Sequence, residues 1–103
     1  MGFDKENIQT IEKLKSGQTC LVQGLGQSMT PILKSGQVCR VEPVTEETEL
    51  KKNDIVLCKV KGHIYLHKIS AIDGNRYQIS NNHKHVNGCV GRSNIYGIVT
   101  EIL

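Results

Sequence analysis

A serine hydroxyl attacks a carbonyl only when a base takes its proton and fixed donors meet the oxyanion that forms. The stretch GLGQSMTPILKSGQ, residues 24–37, sets a serine where such help can be organised. Ser28 stands beside Met29 and three residues before Pro31. Gly24 and Gly26 let the chain turn before it, and Pro31 stiffens the chain after it. Backbone N–H groups at Ser28 and Gln27 are the expected oxyanion donors. A lone serine in such a turn more often bonds its own backbone, so the nucleophile reading depends on the rest of the chain.

The candidate bases are His63, His67, His83 and His85. His67 is the best placed. In HIYLHKIS it alternates with Tyr65 and Ile69, so a strand would turn all three to one face. His63 falls at a hairpin tip, and His83 and His85 fall in a polar stretch. An imidazole near its ordinary pKa of about 6.5 serves as a general base near neutral pH. Lys68 is the alternative base if the register slips by one residue, although period-two alternation then points it to the opposite face.

Other residues admit two uses. Met29 either packs in the core or, with Pro31, lines a site for a substrate side chain. Asp54 is expected to brace a turn. HKHVNGC, 83–89, has the donors of a His-x-His…Cys metal site, but no fourth ligand is evident, so no metal is expected.

The elements that must position these residues follow from periodicity. Asp4 is a helix cap candidate, Ile8, Ile11 and Leu14 form a narrow apolar stripe, and Gly17 ends it, which predicts a helix over 5–16. The rest reads as strands and turns. Runs at 19–25, 37–44, 54–61, 63–70 and 94–103 are strand-like. Lys61-Gly62 predicts a tight hairpin, and Asp73-Gly74-Asn75 a turn within 71–80. The expected fold is mainly β: one domain over 1–103, with a helix at 5–16 and a β domain at 19–102.

Composition narrows the class. At 103 residues a single modest core is expected. With aromatics at only 4%, that core must be aliphatic. A net charge of +3, with no basic block, gives no support to nucleic acid as a partner. The acidic run at 42–49 reads as a solvated loop. The four cysteines at 20, 39, 58 and 89 include no CxxC pair. Cys20, Cys39 and Cys58 lie in apolar runs and read as buried free thiols, which points to a reducing, cytoplasmic compartment; the even count also permits disulfides. No apolar run reaches the roughly 18 residues of a membrane span, and the N-terminus has no signal-peptide core.

The boxes taken together carry a resemblance. GQSMTPILKSGQVCRV resembles the nucleophile box of type I signal peptidases and of the self-cleaving SOS repressors, roughly G-x-S-M-x-P-x-L-x-x-G-D. KKNDIVLCKV resembles their G-D-I-V box, with Asn53 in place of the glycine. IYLHKIS resembles the base-bearing strand, where bacterial signal peptidases and SOS repressors place a lysine and the endoplasmic-reticulum and archaeal types a histidine. YQISNNHKHVNG resembles the box that usually reads G-D-N, with Ser80, Asn81 and Asn82 in its place, and NIYGIV resembles the closing strand. The resemblance covers roughly residues 19–102.

It implies a partly closed β-barrel and a small soluble serine endopeptidase with a Ser28–His67 dyad and no cofactor. Asn81 or Asn82 would orient the imidazole where the histidine-type members have an acid. The expected partner is a peptide or protein bound extended along a strand edge, and exposed edges leave room for a homodimer. No membrane anchor of the signal peptidase kind and no helix-turn-helix is expected, and with no Ala-Gly pair before Ser28, self-cleavage of the repressor kind is not expected either. The alternative is a binding or regulatory module that keeps the scaffold with little or no turnover, an architecture suited to a phage or mobile element.

Overall fold

Between residues 38 and 102, six runs, most of them rich in β-branched and other apolar residues, form strands in the computed structural model. The model describes residues 2–24 and 28–103, with helix side chains from Asn7 onward. A helix, α1 (Gly2–Lys15), precedes seven strands: β1 (Cys20–Gln23), β2 (Val38–Pro43), β3 (Ile55–Val60), β4 (His63–Asp73), β5 (Arg76–Ser80), β6 (Val86–Gly91) and β7 (Ile95–Ile102). They make one sheet in the order β1-β2-β7-β3-β4-β5-β6, with every pairing antiparallel.

Strand β3 shows how two-residue alternation builds the core. Leu57 faces a cluster with Ile11, Leu14, Met29, Ile64 and Leu66, so α1 covers that side. Val56, Cys58 and Val60 face the other side, with Ile69, Ile79 and Val90. That second cluster closes because the sheet curls on itself. Gly88 of β6 comes so near β3 that an added Cβ would stand 3.0 Å from Val60 Cγ1, although the two strands are not paired. The result is the mainly β, partly closed barrel with one short helix that the resemblance implied.

Local chemistry explains the turns. Lys61 and Gly62 both have positive φ, +52° and +86°, and join Val60 to its partner His63 as a two-residue hairpin. Asn53 takes φ +78°, a left-handed conformation that asparagine tolerates and glycine favours, which accounts for its standing in for the family glycine. Asp54 then accepts from Lys51 N at 2.8 Å and braces that turn.

Four readings of the fold need correction. The helix starts at Gly2, so Asp4 lies inside its first turn and not at its cap. Ile8 is 53% exposed, and Asn7 shares the buried face with Ile11 and Leu14 at positions i, i+4 and i+7. The polar stretch at 83–89 is not all loop: its second half enters β6. Cys39 and Cys58 are buried free thiols, while Cys20 is half-buried and Cys89 exposed.

Candidate active site

The loop between β1 and β2 carries Ser28. Its base is tied by Gly24 N to Gln37 O at 2.9 Å and Gly36 N to Gly24 O at 2.7 Å. At its tip, Met29 and Leu33 turn into the core under α1 and anchor the segment. Ser28 is left half-buried beside β4, and the Thr30–Pro31 bond is cis.

Strand β4 brings His67. Val56 pairs with His67, and Ile55 with Lys68, so there is no slip of register. His67 Nε2 lies 3.0 Å from Ser28 Oγ. Its other nitrogen, Nδ1, lies 2.7 Å from Asn87 Oδ1. An amide oxygen only accepts, so Nδ1 carries the proton of the neutral ring and donates. Nε2 then offers its lone pair to the Ser28 hydroxyl, the tautomer a general base requires. Tyr65 stacks on the ring, with centroids 4.8 Å apart and planes at 27°.

His67 is 7% exposed. Burial pushes its pKa below the ordinary histidine value; the Asn87 bond opposes this, and nearby His85 adds to it. Burial disfavours the imidazolium, so the ring is held in its basic form at neutral pH.

Asn87 is the residue that sequence reasoning missed. In β6, Gly88 pairs with Ile79 and Val86 with Ser80, so Asn87 is the extra residue of a β-bulge. A bulge redirects a side chain that regular pleating would point elsewhere. The signal was present: an Asn-Gly pair inside the apolar run VNGCV marks a bulge within a strand.

The expected orienting residues do other work. Asn81 Oδ1 accepts from His83 N at 2.8 Å and His85 N at 3.0 Å, closing its own turn away from the imidazole. Asn82 faces the Ser28 loop: its N donates to Ser28 O at 2.7 Å and its Nδ2 to Thr30 O at 2.9 Å. Its Oδ1 accepts from Lys68 Nζ at 3.2 Å, so Lys68 meets Asn82 while His67 meets Ser28. His83 Nε2 is 3.1 Å from Thr30 Oγ1. Met29, expected to line a substrate site, is 3% exposed and belongs to the core, whereas Pro31 is exposed beside Ser28. Gln27 lies outside the described residues.

No group of three or more His, Cys, Asp or Glu among the described residues is gathered to hold a metal ion. A cavity of about 460 Å³ lies elsewhere, between the end of α1 and β7, lined by Leu14, Pro43 and Tyr96 among others, and neither Ser28 nor His67 reaches it. No described helix is long and apolar enough to cross a membrane.

No curated protein matches the chain. A family model described as Peptidase S24-like matches residues 3–100, from the first turn of α1 to within β7. That span includes the Ser28 loop, the His67 strand and the Asn87 bulge. The chain therefore belongs to the Peptidase S24-like family, within the superfamily of SOS-repressor and signal-peptidase-type serine peptidases.

Proposed function

We propose that the protein is a serine endopeptidase whose nucleophile is Ser28 and whose general base is His67. One observation carries the reading: Ser28 Oγ, His67 and Asn87 form a continuous chain of hydrogen bonds, 3.0 Å at Nε2 and 2.7 Å at Nδ1. Both distances lie within the reach that proton transfer needs. Ser28 Oγ attacks the peptide carbonyl carbon as its proton passes to Nε2. The imidazolium is held through Nδ1–H by Asn87 Oδ1. The backbone N–H of Ser28 meets the oxyanion. Collapse of the tetrahedral intermediate breaks the C–N bond, and Nε2–H gives its proton to the leaving amine. Water, deprotonated by the same Nε2, then attacks the acyl carbon; the C–Oγ bond breaks, Nε2–H returns its proton to Ser28 Oγ, and the acid is released.

The substrate is a peptide or protein segment lying extended along a strand edge beside Ser28, where main-chain bonds supply affinity. A second reading has one observation in its favour. The third member is an amide, which orients the ring but stabilises imidazolium less than a carboxylate does. That suits a module with slow turnover or none.

Incubating a peptide pool with the protein at pH 7–9 and reading the products by mass spectrometry separates the two. Cleavage present in wild type and lost in both Ser28→Ala and His67→Ala supports the peptidase. Identical product spectra for all three proteins would support the binding module instead.

A further inference from the structure

We propose that Lys68 and Asn82 form a clamp that positions Ser28 against His67. This rests on the reading of Ser28 as nucleophile but concerns what fixes its place.

The loop that carries Ser28 is held from three sides. Its base is tied between β1 and β2, and Met29 anchors it in the core. Neither contact fixes the distance from Ser28 to β4, the strand that carries the base. Asn82 does so. Its backbone N–H takes the carbonyl of Ser28 at 2.7 Å, and its side-chain Nδ2 takes the carbonyl of Thr30 at 2.9 Å. These two carbonyls flank Met29, so both ends of that short segment are gripped by one residue.

An amide can turn over, and only one orientation grips Thr30. With Nδ2 on the Thr30 carbonyl, Oδ1 points to Lys68 Nζ at 3.2 Å. The reverse orientation would set NH2 against an ammonium and oxygen against a carbonyl, leaving four groups mispaired. The charge on Lys68 therefore selects the gripping orientation. Lys68 and His67 are consecutive on β4, so the strand that presents the base also locks the loop that presents the nucleophile. Lys68 is a positioning residue here: it acts on Ser28 through Asn82.

The direct readout is the nitrogen NMR resonance of His67 Nε2, which senses whether a hydroxyl donates to it and needs no turnover. Ser28→Ala gives the unbonded reference. The clamp predicts that Lys68→Met moves the resonance toward the Ser28→Ala value and that Lys68→Arg keeps it near wild type. Asn82→Asp keeps an acceptor for Lys68 but turns an oxygen on the Thr30 carbonyl, so it also moves toward the reference. Resonances for Lys68→Met and Asn82→Asp that both stay at the wild-type value, in proteins whose melting shows them folded, would overturn the clamp. So would a wild-type resonance equal to that of Ser28→Ala. Peptide cleavage, read separately, is expected to fall about tenfold in kcat with KM little changed, the scale of a sub-ångström misplacement. Absent cleavage in wild type alongside the predicted resonances would reject the peptidase and keep the clamp.

Discussion

Neutral imidazole has one proton and one lone pair, and its neighbours decide which nitrogen holds which. At His67 the acceptor on Asn87 keeps the proton on Nδ1, leaving Nε2 free for Ser28. Replacing Asn87 by Ala removes that selection and is expected to lower kcat by about tenfold, less than the roughly 10²–10⁴-fold that a general base itself contributes. Asn87→Asp puts a carboxylate beside Nδ1, which favours the imidazolium and raises the pKa of the base. Its pH–rate profile should therefore have its acid limb at higher pH than wild type; a limb that stays in place would contradict the assignment. Burial lowers the wild-type pKa, so the wild-type limb should lie below the ordinary value of about 6.5. The same shift has a sign for stability. As pH falls below about 6.5 the unfolded chain binds a proton that folded His67 refuses, so stability drops through that range until the folded pKa is reached. Denaturant midpoints measured against pH should show this decline in wild type and less of it in His67→Gln.

The elements differ in how openly the sequence declared them. Lys61-Gly62 announced its hairpin through Gly62, which takes positive φ at no steric cost, and the alternation of HIYLHKIS placed His67 with Tyr65 and Ile69 on one face. Ser28 and His67 could be paired because their boxes have distinctive residues. Strand β6 was hidden. Its residues VNGCVG include two glycines and an asparagine, all poor strand formers, and pairing with β5 overrides that preference. With β6 unseen, the bulge that aims Asn87 was unseen too. Helix α1 was legible in kind and, through Ile11 and Leu14, in most of its buried face; only the first position differed, where Asn7 rather than Ile8 turned inward. Its docking depends on Gly97 of β7, where an added Cβ would stand 2.4 Å from Val41 Cγ1 and 2.9 Å from Leu14 Cδ1. Gly97→Ala is expected to cost about 1–3 kcal/mol by overpacking, read as a lower urea midpoint. An unchanged midpoint would mean that α1 does not pack there.

Across the whole molecule, the proposed chemistry falls where β4, the β1–β2 loop and the β5–β6 region meet, and two of the four thiols are silenced by burial. Burial pushes the Cys39 thiol up to about 11 and the Cys58 thiol up to about 12. Both should resist alkylation at neutral pH in the native protein, while exposed Cys89 reacts first, as intact mass would show. The aliphatic core expected from composition forms two clusters, one on each face of the sheet, and the curl of the sheet closes the second. That curl lets β6 carry Asn87 to a ring on β4, a meeting of distant segments that no local pattern encodes. The central claim is that Ser28 is a nucleophile activated by His67. Reaction with a fluorophosphonate, followed by intact and peptide mass, tests it most directly, because the reagent reports activation without knowledge of the substrate. The account predicts one adduct, on Ser28, absent in Ser28→Ala and formed at least about a hundredfold more slowly in His67→Ala. An adduct on Ser28 forming equally fast without His67, or no adduct on Ser28 at all, would contradict it.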